Sequence, residues 1–556
     1  MKPAIFLAIA VSLFAYFPVF IEVLYAPHAE DSMYMRNMTM HTMEVRMFDP
    51  LHNRALVDWG TFSYSRLRSC FGYAGDVFFG YQDYHGMPFN HNSLKRYRPL
   101  SSLSFSFFSF LGYPFVGRNF VRLAKVASVR GANAVLHALS APAVMLATER
   151  VLGRDDTANA PLCAALAFAL TPAHVMAVHD ASNRHHLLAF FTTLALATLD
   201  LSNPQTLLVS LASLLVSEVT LAAIPAILLT YFAVRLVSHG ETIPQAKDQA
   251  LRRLQLVLLP TVPYLYGRFY YLNGFSIALP YVETHPWRLL LAQKPTLVSV
   301  KTSFLSHSSL VGVYALKAAG LSFPFDDFGY HWTAPRAQPV ETVQDKRLLS
   351  TACMLASGAA WVCLRRRKQS NPNSRGRGSK GGGSKGTVFV PDFMLPTTTV
   401  LASLGWFLTL LPVFLNVPAC WTTVKDSYAY PASFAFSLLF GRGAAWWIAQ
   451  AAGKGEEPAS VVVSVESALG GALGGAREAV RRRTGRWLGK KRGGGTQGGT
   501  QQGKGGKGGK GGEGGGKQEK RIWAVLAFLG VKFVLVYWAV STAGSKPSLY
   551  AHVVDK

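Results

Sequence analysis

Charged residues are scarce in this chain, at 15% of 556 positions, while half of all residues are hydrophobic and 12% are aromatic. So little charge over this length excludes a soluble globular protein and leaves a polytopic membrane protein. Acids are the scarcer sign, with 30 Asp and Glu against 56 Lys and Arg. Of the five cysteines, Cys163, Cys353 and Cys363 fall in apolar runs and read as small core residues, whereas Cys70 and Cys420 fall in loops on one side, where a disulfide is permitted. No Cys/His spacing of the metal-ligand kind is present, so no metal site is expected.

What the chain has instead is apolar length. A helix needs roughly 20 apolar residues to cross about 30 Å of hydrocarbon. Eleven or twelve such segments are expected, making an all-α fold: Ile5–Leu24, Ala134–Ala147, Pro161–Val178, Leu187–Leu199, Leu207–Val219, Ala222–Val237, Leu254–Tyr271, Leu310–Phe325, Leu348–Leu364, Thr397–Val417, Ala432–Ile448 and Ile522–Val540. Some, such as Ala134–Ala147, are short and need tilt or flanking residues to span. The first follows Lys2 like a signal peptide but lacks a small-x-small cleavage site, so it reads as an uncleaved helix with its N-terminus in the cytosol.

The net charge of +26 is concentrated. Arg365–Lys385 holds eight Lys/Arg and no acid, and Lys454–Arg521 holds fifteen Lys/Arg against six Glu; together they supply 17 of the 26. Both stretches are Gly-rich and lack the interleaved aromatics that stacking on bases requires, so they read as disordered cytosolic loops and not as nucleic-acid binders. Residues 1–364 then form a membrane region with a long luminal loop at 25–98. A basic loop at 365–396, a pair of spans at 397–448 and a Gly/Lys-rich loop at 449–521 follow. The last span and a short luminal tail occupy 522–556. The two spans between the basic loops leave Pro418–Pro431 luminal.

The loop Tyr25–Arg98 is long for a connection between spans, and loops of that length are usually functional. It opens with His28-Ala29-Glu30-Asp31 and carries the sequon Asn37-Met38-Thr39, a candidate glycosylation site. Adjacent Glu30 and Asp31 are candidates for a general base, or a solvated acidic pair at a helix end.

Six runs occur in a fixed order: His28-Ala29-Glu30-Asp31-Ser32 with Asn37, Gly75-Asp76-Val77-Phe78-Phe79-Gly80, Tyr97-Arg98-Pro99-Leu100, Asn133-Ala134-Val135-Leu136-His137, Thr171-Pro172-Ala173-His174 and Asn183-Arg184-His185-His186. In this the chain resembles the transmembrane and tetratricopeptide-repeat O-mannosyltransferases of the endoplasmic reticulum, multi-span glycosyltransferases of the GT-C class. Weaker likeness continues through Ser217-Glu218-Val219-Thr220 and Asp426-Ser427-Tyr428-Ala429-Tyr430-Pro431. The resemblance implies transfer of mannose from dolichyl phosphate mannose, a substrate and not a bound cofactor, to Ser or Thr of luminal and secretory-pathway proteins. It implies Asp31 as the base with Glu30 beside it. Arg98, His174 and Arg184 become candidates for the phosphate, since such a transfer needs basic groups on the departing phosphate. Asn133 and His137, four residues apart on one helix face, either line that site or satisfy each other in the bundle; Glu218 is a further lining candidate.

The chain departs from the family at Thr171 and Met176, where the family has a histidine and a glutamate. It departs again at Lys425-Asp426-Ser427, where an acid–Arg pair is replaced and Lys425 would stand in as a point charge. The tail Ser541–Lys556 is too short for one tetratricopeptide repeat of about 34 residues, so acceptor choice is expected elsewhere or from a luminal partner. Three readings compete with the mannosyltransferase: a catalytically inactive scaffold or chaperone, a lipid-linked-sugar transferase with another acceptor, and a transporter or channel. Against the last stands the lack of a discernible inverted repeat with broken helices.

Overall fold

The computed structural model describes residues 2–20, 72, 74–81, 97–112, 121–153, 159–179, 183–270, 272, 297–321, 340–369, 397–411, 426–449 and 512–543. Among the described residues every regular element is helical. In chain order these are α1 (Lys2–Ala15), α2 (Pro99–Gly112), α3 (Val121–Leu152), α4 (Ala160–Ala169), α5 (His174–His179), α6 (Arg184–Thr198), α7 (Asn203–Val216), α8 (Ile224–Val237), α9 (Ile243–Leu258), α10 (Thr261–Tyr270), α11 (Leu297–Ala319), α12 (Leu349–Gln369), α13 (Thr397–Phe407), α14 (Ala429–Ala449) and α15 (Gly512–Ala543). Among the described residues three helical stretches are long and apolar enough to cross a membrane, Arg130–Leu152, Thr220–Val237 and Glu519–Ser541. Shorter apolar helices surround them, among them 3–15, 160–169, 203–216 and 397–410.

Several boundaries differ from those read off the sequence. The segment Ala134–Ala147 belongs to a helix that starts at Val121 and ends at Leu152, so it is not short. Pro161–Val178 is two helices, because Pro172 has no N–H to continue the ladder; Thr171 closes α4 by donating its hydroxyl to Ala167 O (2.8 Å). Leu207–Val219 ends early, where Ser217 turns extended and a 3₁₀ turn, Glu218–Ala223, leads into α8. Leu254–Tyr271 is likewise interrupted, at Leu259-Pro260 between α9 and α10. The expectation of unbroken helices is therefore corrected. Helix α2 was missed altogether, its serines masking an otherwise apolar run. The basic loops are also shorter than expected, since α12 runs on through 365–369 and α15 begins at Gly512, making 512–521 helical. Cys163 is buried as expected, but Cys353 and Cys363 are exposed and so are not core residues.

The helices α3, α6, α7 and α8 run between two distinct polar ends. At one end Arg150 donates to Thr198 O (2.6 Å), Ser238 donates to Arg150 O (2.5 Å), and Arg235 pairs with Asp200 (3.3 Å) and with Glu241. Helices α7 and α9 start there with the same device. Ser202 N–H and Thr242 N–H each donate to a Gln three residues on, Gln205 (3.0 Å) and Gln245 (3.1 Å), with proline between. Their opening turns are exposed, which favours this end in water. Between the ends the core is built largely from alanine, packed around Phe168, Phe190, Trp406, Tyr430 and Phe434. Small residues let helix backbones approach closely. Gly441 on α14 shows this, since a Cβ there would stand 2.6 Å from Ala160 O and 2.7 Å from Ala164 Cβ.

Candidate functional site

The other end of the bundle carries buried cations. Arg98, which enters α2 ahead of Pro99, is 2% exposed. Proline restricts the preceding residue to extended backbone, which aims Arg98 back across the helix start. Its Nε donates to Glu218 Oε2 (3.0 Å) and its Nη2 to Glu218 Oε1 (3.1 Å), a two-pronged pair across 120 residues of sequence. Glu218 can be met this way because the break after α7 leaves it on a 3₁₀ turn, and Ser101 donates to Val216 O (2.9 Å) to hold α2 against that break. Arg268 on α10, also buried, sits within electrostatic range of the same carboxylate, and its guanidinium lies 5.9 Å from the Tyr97 ring. Tyr264, one turn earlier, is buried within electrostatic range of the same carboxylate. Burial raises the Tyr97 phenol above its ordinary value, with Arg268 opposing. Tyr97 in turn donates to Phe78 O (2.9 Å), tying the 74–81 turn of the long loop to this end.

Arg184 stands on the neighbouring side of α2. Its Nε donates to Asn133 Oδ1 (2.7 Å) and its Nη1 to Ser104 O (3.1 Å), and its guanidinium lies 5.0 Å from the Phe105 ring centre. Asn133 Nδ2 donates to Val178 O (3.2 Å). Asn133 and His137 thus do not satisfy each other: His137 turns to a different set of partners.

Those partners form a second cluster in the core. His137 Nε2 lies 3.0 Å from Ala169 O, and since a carbonyl only accepts, that nitrogen carries the proton; Nδ1 then accepts from Tyr430 OH (2.9 Å). His174 Nε2 meets Ser433 Oγ (2.6 Å), which donates onward to Tyr430 O (2.7 Å). The rings of His137, His174 and Tyr430 are mutually within 5.6 Å, and Tyr16 packs edge-on to His137 at 4.8 Å. The structure thus brings Arg98 and Glu218 together, joins Arg184 to Asn133, and sets His174 with His137. Glu30, Asp31, Asn37, Cys70, Cys420 and Lys425 lie outside the described residues, as do 370–396 and 450–511 of the basic loops and the tail from 544.

Five buried charged residues were missed, Arg130, Arg253, Arg268, Lys317 and Lys532, and the last three have distinct settings. Arg268 joins the Arg98 pair; Lys317 forms a buried ion pair with Asp426; Lys532 reaches backbone carbonyls inside the bundle. All three fall in or beside apolar runs, and a charge in such a run is itself the signal. Among the described residues no three His, Cys, Asp or Glu side chains are placed to hold a metal ion. No family model, no curated protein and no solved structure matches this chain.

Proposed function

We propose that this chain is a multi-pass, GT-C-like protein of the endoplasmic reticulum membrane that transfers mannose from dolichyl phosphate mannose to Ser or Thr of luminal proteins. The observation that carries the reading is the gathering of Arg98, Arg184 and Arg268, all buried, at the end of the bundle to which the long loop returns at Tyr97. Buried guanidiniums in an apolar setting suit a lipid phosphate, which they neutralise without water.

The chemistry is an acyl-free sugar transfer with simple accounting. The acceptor hydroxyl oxygen attacks the anomeric carbon, the bond from that carbon to the phosphate oxygen breaks with its electron pair on the phosphate, and the hydroxyl proton passes to a carboxylate. Asp31, with Glu30 beside it, is the proposed base, and Arg98 and Arg184 stabilise the phosphate as charge develops, with Arg268 adding positive charge behind Glu218. Lys425 remains a candidate for the same phosphate, and a luminal partner for acceptor choice. His174 is proposed to act from the core, through its packing on His137, and not on the phosphate directly.

Two observations favour the inactive scaffold as second reading. The forked pair leaves Arg98 already engaged by Glu218, and His174 faces Ser433. Purified protein and lipid-linked mannose separate the two. On the transferase reading Arg98→Ala weakens donor binding by about 1.5–3 kcal/mol, the worth of a hydrogen bond to a charged group. Absence of donor binding by the parent favours the scaffold.

A further inference from the structure

We infer that Glu218 is a positioning residue that sets how tightly the Arg98 guanidinium holds a lipid phosphate, sharing Arg98 with the donor and reclaiming it as the product leaves. This rests on the donor reading above and assigns Glu218 a specific task within it.

The argument begins with charge. The donor is a phosphodiester bearing one negative charge. Loss of the sugar leaves a phosphomonoester, which carries about −1.5 to −2 at neutral pH because its second ionisation lies near pH 6. A site of bare guanidiniums would therefore hold product more tightly than substrate, and release would limit turnover. A carboxylate on the same guanidinium counters this bias. Glu218 is so placed: it takes up Nε and Nη2 of Arg98, the planar edge that an incoming phosphate would use for a two-pronged contact.

Exchange of partners must not strand a buried carboxylate, which is strongly unfavourable. Arg268 removes that obstacle. It is buried within electrostatic range of Glu218, so the carboxylate keeps a nearby positive charge when Arg98 turns to phosphate. Glu218 also stands on a 3₁₀ turn following the extended Ser217, and not inside a continuous helix, so a small shift there breaks no helical ladder. The two sides of the exchange are thus held by different elements, α2 for Arg98 and α10 for Arg268.

The test uses the full-length protein in nanodiscs with two probes, a polyprenyl monophosphate and a polyprenyl phosphate mannose. Removing a unit charge several Å from the phosphate, at an effective dielectric near 20, is worth at least about a factor of ten. Glu218→Gln is therefore expected to bind the monophosphate about tenfold more tightly than the parent, and to slow steady-state transfer more than a single turnover. A merely structural Glu218 gives the opposite sign, since loss of the pair loosens Arg98 and weakens both lipids. Should Glu218→Gln not survive purification, Glu218→Asp, which draws the carboxylate back from Arg98, is expected to shift monophosphate binding in the same direction. Unchanged or weakened monophosphate binding in the variant, with the parent binding normally, overturns the inference alone. A parent that binds neither lipid overturns the donor reading and this inference with it.

Discussion

Lys532 Nζ reaches Ala319 O at 3.3 Å, which sets a buried lysine of α15 on the C-terminal turn of α11. The same ammonium lies 3.5 Å from Ala167 O in the last turn of α4. Both helix ends carry partial negative charge on their terminal carbonyls, Ala167 O also accepting from Thr171, so the lysine finds compensation without a carboxylate. Gly320, at φ +71°, ends α11 and leaves room for the lysine, because a Cβ there would come within 2.6 Å of Nζ.

A sign rule follows for position 532. Lys532→Met removes a buried charge together with the carbonyl contacts that offset its desolvation, so stability is expected to change by less than about 1.5 kcal/mol. Lys532→Glu sets a carboxylate against carbonyl oxygens and is expected to cost more than about 3 kcal/mol. Thermal unfolding in detergent measures both, and a tolerated glutamate would refute the assignment.

Much of the site was legible because polar residues in apolar runs announce themselves. Arg98, Asn133, His137, His174, Arg184 and Glu218 were all singled out from sequence, and all are buried. Their pairing was not legible. Arg98 and Glu218 are 120 residues apart, and nothing local says that the helix break at Ser217 will turn the glutamate toward α2. The breaks themselves had a visible sign in Pro172 and Pro260, which a count of apolar length ignores. Helix α2 escaped for the reverse reason: its five serines at 101, 102, 104, 106 and 109 lower its apolar score, yet Ser101, Ser102 and Ser104 each donate to a backbone carbonyl and so cost little inside the bundle.

Packing between α14 and α4 gives a paired prediction. Gly441→Ala forces a methyl against Ala160 O and Ala164, and overpacking of this kind costs about 1–3 kcal/mol. Gly443→Ala, two residues on, meets nothing within 4 Å and is expected to be neutral or to stabilise by about 0.5–1 kcal/mol through helix propensity. Equal effects of the two in a thermal-shift experiment would mean that α14 does not pack on α4 through Gly441.

Topology offers an independent check. The basic stretches Arg365–Lys385 and Lys454–Arg521 should both lie in the cytosol, with Asn37 in the lumen. Protease added outside sealed microsomes is expected to cut both basic stretches and to spare Tyr25–Arg98. Arg521 donates to Trp447 O (2.7 Å), so α14 ends and the last span begins on one side, and cleavage at 454–521 reports that side for both. Protection of either basic stretch would put the buried arginines on the wrong face for a luminal transferase.

The central claim is that this chain transfers sugar with a carboxylate of the first loop as base. The most direct measurement is transfer of radiolabelled mannose from dolichyl phosphate mannose to a Ser/Thr peptide by the purified protein, comparing the parent with Asp31→Asn at matched folding. Loss of a general base lowers rate by about 10² to 10⁴. The account predicts labelled peptide with the parent and a fall of that size with Asp31→Asn; no label with the parent, or activity within about twofold in the variant, contradicts it.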